Sequence, residues 1–212
     1  MNESEEWFQR GLSHYSKEDY EQAILSFEHS LDYDPYFLES LRYIGEIYYK
    51  QENHEKAIKI FKRAIKVDPE DSFIWYDLSL VYNKIEDYDN AIDACDIAIE
   101  FSEVAELLYT LGQLYINKAS IEENPQEFQR LLNEAANCFE EILDDDPENI
   151  IYLKYMGMIY KNIGRFDSAI ETFQKVLAID SIFIYLYILD NNNKPFSQLS
   201  ILGKSISYIF KD

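Results

Sequence analysis

A chain of 212 residues fits one domain or one and a half, but six Gly and five Pro are fewer than half the turn formers that average usage of about 7% and 5% would supply. That scarcity excludes a β-sandwich or a Rossmann domain, and a hydrophobic content of 47% excludes a disordered chain. Forty acidic against 19 basic residues leave a formal charge of −21, which repels phosphate backbones and excludes nucleic acid as a partner.

The chain opens Met1-Asn2-Glu3-Ser4-Glu5-Glu6-Trp7, with neither the basic nor the apolar stretch of a secretory signal. The longest apolar run, Ile182 to Leu189, is far short of the roughly 18–20 residues that span a bilayer. Cys95 and Cys138 form no disulfide framework and no metal pattern, which fits a reducing compartment. The expectation is a cytoplasmic protein with no membrane span.

A repeat then runs through the sequence. The first copy carries Gly11, Ala23, Phe27, Ser30 and Pro35, and the second carries Gly45, Ala57, Phe61, Ala64 and Pro69, 34 residues later. The third, after the same shift, reads Ser79, Ala91, Cys95, Ala98 and Glu103. A stretched fourth copy has Gly112, Tyr115, Ala135, Phe139, Ile142 and Pro147, and the fifth has Gly157, Ala169, Phe173, Val176 and Ser181. Within the second copy Ala57, Ile58, Phe61, Ala64 and Ile65 share one helical face. Small residues let two short amphipathic helices meet closely, and Phe27, Phe61, Phe139 and Phe173 are expected to fill the gap to the next unit. Asp34-Pro35, Asp68-Pro69 and Asp146-Pro147 end one helix and set up the next.

The period and these residues resemble the tetratricopeptide repeat, in five copies over about residues 4–181 (units 4–37, 38–71, 72–104, 105–148 and 149–181). The resemblance implies an all-α, right-handed α-solenoid of antiparallel helix pairs, with the first helix of each pair on a concave wall. No pair buries its faces alone, so the pairs must stack.

Two segments break the pattern. Tyr115 to Ala135 is 11 residues longer than the matching interval elsewhere. Asn124-Pro125-Gln126-Glu127 supplies an N-cap, a first-turn Pro and a capping-box acid, so the second helix of that unit should run from about Pro125 to Leu143. The insertion is either a tolerated loop or a contact ridge. The second break is at Ser181: residues 1–181 carry a charge of −22, whereas 182–212 carry +1 and lose the repeat. Residues 182–212 are expected to form a degenerate helical cap, leaving an apolar patch through which the chain could homo-oligomerise. The aromatic and β-branched run Phe183 to Ile188 also admits an extended segment.

No catalytic or cofactor chemistry is visible. Gly203-Lys204-Ser205 lacks the first Gly of a phosphate loop, and Lys194 and Pro195 spoil the calcium-loop start at Asp190. His14, His29 and His54 are scattered, and Asp144-Asp145-Asp146 reads as a solvated run at a helix end. No cofactor, no metal and no enzyme activity are expected.

What the resemblance leaves is a peptide surface. Inward positions follow from the repeat phase: Phe8, Leu12 and Tyr15; Arg42, Glu46 and Tyr49; Tyr76, Leu80 and Asn83; Tyr109, Gln113 and Ile116; Lys154, Met158 and Lys161. Chaperone-tail binders of this family grip a terminal carboxylate with Lys and Asn at such places. Here the matching places hold Phe8 and Leu12, Arg42 and Glu46, and Tyr76 and Leu80, so no carboxylate clamp is expected. The expected function is a non-enzymatic scaffold or adaptor that binds a peptide segment of a protein partner in the groove. The alternatives are a structural subunit assembling through 182–212 and a cytosolic chaperone for apolar client segments.

Overall fold

A computed structural model describes residues 2–102 and 104–179. Glu103 and the expected cap or oligomerisation segment 182–212 lie outside the described residues. The described residues are all-α: α1 (Glu3–Tyr15), α2 (Tyr20–Tyr33), α3 (Leu38–Lys50), α4 (His54–Val67), α5 (Ser72–Lys84), α6 (Tyr88–Phe101), α7 (Ala105–Ser120), α8 (Pro125–Asp145), α9 (Ile150–Asn162) and α10 (Phe166–Ile179). They divide into two compact units, one ending at Ile121 and the other beginning at Glu122. The fourth repeat therefore gives its first helix to one unit and its second helix to the other.

Within the first unit α1 packs on α2, α3 on α4 and α5 on α6, and each pair continues onto the next first helix. In the second unit α9 packs on both α8 and α10. The small residues allow this pairing as the sequence implies. A Cβ added at Gly11 would lie 2.4 Å from the Phe27 ring, and one at Gly45 or Gly157 would lie 2.6 Å from Phe61 or Phe173. Each ring thus seats against the glycine of its own pair. Phe27 also stacks on Tyr43 of the next pair, with centroids 5.4 Å apart, and Phe139 stacks on Tyr155 at 5.1 Å. Phe27 and Phe139 thus reach towards the next helix pair, as expected, and Phe27 is seated as well against the glycine of its own pair.

The turn between paired helices has one geometry four times over. Glu18 donates its N–H to the Tyr15 carbonyl, and Asp19 donates to the His14 carbonyl. The same two bonds recur from Glu52 and Asn53, from Glu86 and Asp87, and from Gly164 and Arg165. This double closure needs a left-handed residue just past the helix. Glu18, Glu52 and Glu86 adopt it at φ of 60°, 58° and 61°, and Gly164 at 81°. Between pairs, Asp34 and Asp68 are extended, the conformation favoured before Pro.

α8 begins at Pro125, with Asn124 accepting the amides of Gln126 and Glu127. It ends at Asp145, two residues beyond the expected Leu143. The capping box does not form. Glu127 is occupied by Arg130, at 2.9 and 2.6 Å, and the Asn124 N–H donates instead to Glu122 at 2.8 Å. A charge-assisted bidentate pair on the helix surface outcompetes the backward reach of Glu127.

Candidate functional site: the first-helix wall

In the first unit, side chains roughly one repeat apart bond across successive first helices. The Tyr15 hydroxyl donates to Glu46 at 2.5 Å, linking α1 to α3. The Arg42 Nε donates to Asp77 at 3.2 Å, linking α3 to α5. The Tyr76 hydroxyl meets Glu106 at 3.4 Å and the Asn117 amide donates to the Asn83 carbonyl at 3.2 Å, both linking α5 to α7. These rungs make one polar ladder along the faces that repeat phase assigns inward.

In the first unit, Lys50 and Arg42 each have an internal partner. Lys50 pairs with Glu46 at 3.2 Å and lies 5.3 Å from the centre of the Tyr15 ring. Its ammonium is held charged above its usual range, first by the Tyr15 hydroxyl and then, against some desolvation, by Glu46. Arg42 lies 5.0 Å over the Phe73 ring while it holds Asp77. Burial pushes the Asp77 carboxyl up to about 6, even though Arg42 pulls it down; Glu46 and Asp71 add to the rise. Burial likewise raises the hydroxyls of Tyr15 and Tyr76, with Glu46 and Glu106 contributing. The wall is therefore a set of half-buried aromatics stitched by pairs that are already satisfied.

The expected contact residues separate into three groups. Phe8 is 8% exposed and packs its ring on Phe27, Phe37 and Tyr43, so it belongs to the core instead of the open wall. Its position coincides with the buried seam between the first two pairs, where one face of a short helix serves both core and wall. Leu12, Tyr15, Arg42, Glu46, Tyr49, Tyr76, Leu80, Asn83, Tyr109, Gln113 and Ile116 are all half-buried in the first unit. Of these, Gln113 donates to the Tyr109 hydroxyl at 2.7 Å, and the Tyr49 ring lies 6.2 Å from His54. Lys154, Met158 and Lys161 lie on α9 of the second unit, where Met158 is 53% exposed and Tyr160 donates to Glu140. Burial and Glu140 push the Tyr160 hydroxyl up to about 12.

Sequence phase missed Asp77, Lys50, Phe73, Glu106 and Asn117. Asp77 had a visible signal: it stands two residues before the small position, where sister copies carry Tyr43 and Tyr155. His14 bonds Asp19 at 3.3 Å, at the turn where the other copies place Tyr. Among the described residues no group of three or more His, Cys, Asp or Glu is placed to hold a metal, and no helix is long and apolar enough to cross a membrane.

Two family models match the sequence: the anaphase-promoting complex, cyclosome, subunit 3 family over residues 7–98, and the tetratricopeptide repeat over 156–183. No curated protein sequence matches the chain. Among solved structures, a crystal structure of MamA protein is 24% identical, with a TM-score of 0.71, covering 82% of this chain and 90% of that one. A second crystal structure of MamA is 25% identical, TM-score 0.67, covering 79% and 92%. The crystal structure of YrrB, described as a TPR protein with an unusual peptide-binding site, is 20% identical, TM-score 0.67, covering 82% and 85%.

Proposed function

We propose that this chain, a tetratricopeptide-repeat protein and as such a scaffold for protein–protein interaction, binds a peptide segment of its partner along the first-helix wall of its first unit. The observation that supports this most is the ladder. Polar groups are spent in joining helix to helix, and what they leave half-open is aromatic and aliphatic: Tyr49, Tyr76, Leu80 and Tyr109. Such a surface favours an extended or helical segment that supplies apolar anchors, with affinity concentrated in a few aromatic contacts. The description of YrrB as having a peptide-binding site adds support by likeness of fold.

The mode of capture differs from a carboxylate clamp. Arg42 sits at a clamp position but is held by Asp77 over Phe73, and its neighbours along the wall are Glu46 and Tyr76. A terminal carboxylate would have to displace Asp77 to reach it. The proposed role is non-catalytic, and its proposed setting is the cytoplasm, the compartment its sequence fits.

Combined Tyr76→Ala and Tyr109→Ala substitution tests the reading. Affinity capture from the source cell with the wild-type chain, identified by mass spectrometry, defines the partners. The double variant, shown to be folded by circular dichroism, is expected to lose them. Unchanged capture by a folded variant would exclude this wall.

A further inference from the structure

The wall of the first unit continues one helical turn beyond the residues that repeat phase assigns to it. Glu5, Glu39, Phe73 and Glu106 stand three residues before Phe8, Arg42, Tyr76 and Tyr109, and seven before Leu12, Glu46, Leu80 and Gln113. That spacing keeps them on the same helix faces. They lie in the first turns of α1, α3, α5 and α7. Because the first helices all run in one direction, the four residues form a row along one rim of the wall. Glu39 and Glu106 are exposed, Glu5 is half-buried and the Phe73 ring is 60% exposed.

The row is acidic and has no cation of its own. Glu5 accepts the side-chain amide of Gln9 at 2.9 Å, and Glu106 meets the Tyr76 hydroxyl at 3.4 Å. Among the described residues none of the three carboxylates is in a salt bridge. Arg42 and Lys50, further along the same helix as Glu39, are taken by Asp77 and Glu46. A first-turn acid suits the helix dipole on any face. α3 and α7 carry only one each, and in both it is the residue on the wall side.

We propose that the segment bound along the first-helix wall is basic: its apolar anchors rest on Phe73, Tyr76, Leu80 and Tyr109, and its Lys or Arg side chains reach the rim carboxylates Glu5, Glu39 and Glu106. This inference rests on the wall binding a peptide, and it names the chemistry of that peptide. A formal charge of −21 draws a cationic segment in from a distance and turns an anionic one away. The same charge weighs against a second copy as the occupant, since it would arrive carrying −21 of its own. A purely apolar segment would use the rings and leave the rim unanswered. A basic segment with apolar anchors meets both.

The test is fluorescence anisotropy of three short synthetic peptides titrated with the full chain at low and high salt. The peptides share the same Leu and Phe positions and carry Lys, Gln or Glu at all others. The Lys peptide is expected to bind on the order of tenfold more tightly than the Gln peptide at low salt, with the Glu peptide weakest. Glu5→Gln, Glu39→Gln and Glu106→Gln together are expected to weaken the Lys peptide about tenfold at low salt and much less at high salt. Glu21→Gln, Asp93→Asn and Glu100→Gln remove the same charge from exposed places on α2 and α6 and should weaken it less than about threefold. Glu39→Gln with Glu106→Gln replaces the rim triple if circular dichroism shows that variant to be unfolded. Equal losses in the rim and second-helix variants overturn the proposal, because bulk charge alone would then explain the preference. So does a folded chain that fails to bind the Lys peptide. If the Gln or Glu peptide binds as tightly as the Lys peptide, and Tyr76→Ala with Tyr109→Ala abolishes that binding, the wall remains a peptide site and its basic preference is refuted. If the tyrosine variant binds the Lys peptide unchanged, the wall itself is refuted. Self-association of the free chain in sedimentation, reversed by the Lys peptide, gives the wall to a second copy and also overturns the proposal.

Discussion

Glu18, Glu52 and Glu86 hold a left-handed backbone that costs an ordinary residue about 1–2 kcal/mol and Gly almost nothing. At the fourth occurrence of the same turn the chain uses Gly164, and a Cβ there would meet nothing within 4 Å. The cost at this position is therefore conformational, not steric. Glu52→Gly is expected to raise stability, by up to about 1 kcal/mol once the extra freedom of Gly in the unfolded chain is subtracted. Gly164→Ala is expected to lower it by a similar amount. Chemical denaturation of both variants checks this pair, and a destabilised Glu52→Gly would show that its side chain has a task in the turn. Asp77 gives a second prediction. Its carboxyl titrates at about 6 against an ordinary 3.8, chiefly through burial, so the folded state keeps the proton to higher pH than the unfolded state. Its contribution to stability is fully present below about pH 4 and is lost as the pH rises through about 6. Measured against Asp77→Asn, which cannot titrate, the wild type should lose stability across that window. A difference that stays flat with pH would refute the assignment.

Between paired helices, the unit of packing is the small residue and the ring sixteen places on. Gly11 meets Phe27, Gly45 meets Phe61 and Gly157 meets Phe173. In the third repeat the same two places hold Ser79 and Cys95, both fully buried. The larger residue on α5 and the smaller one on α6 are a single compensated exchange, although the sequence presents them as two separate departures. Cys95→Phe alone should overpack against Ser79 and cost about 1–3 kcal/mol. Ser79→Gly alone removes a side chain whose hydroxyl bonds the Tyr76 carbonyl at 2.7 Å, and should also destabilise. The double variant is expected to recover part of the loss, giving a coupling of about 1 kcal/mol in a double-mutant cycle; additive losses would contradict it.

The same contrast marks what the sequence made legible. Period, small residues and Asp-Pro steps gave the helices, and Asn124-Pro125 gave the start of α8, because those signals act locally through backbone geometry. Glu127 was misread because its competitor Arg130 offered a better partner in three dimensions. Repeat phase put Tyr15, Arg42 and Tyr76 on one face, but phase carries no information on what stands across the gap. That Asp77 and Glu46 occupy the cations became visible only with distances. Phe8 shows the same limit, since phase alone does not separate a wall residue from one in the seam beneath it.

For the molecule as a whole the dominant quantity is a charge of −21. The described salt bridges are few and mostly half-exposed, so they offset little of the self-repulsion that opposes a compact chain. Added salt is therefore expected to raise the melting temperature of the folded monomer over the range in which the Debye length shrinks from about 30 to 8 Å. Melts of the chain across that range of salt check this. A melting point that falls with salt would mean that local pairs outweigh the global field.

The rung between Arg42 and Asp77 ties recognition to acid–base balance. A guest that draws the guanidinium towards itself takes away the positive neighbour that keeps Asp77 ionised in a buried place. Left alone there, the carboxyl tightens its hold on hydrogen ions, and near neutrality it would take one from the surrounding buffer. Capture through Arg42 would then be a reaction that consumes acid, stronger in mildly acidic surroundings, whereas capture on the tyrosines alone would be indifferent to them.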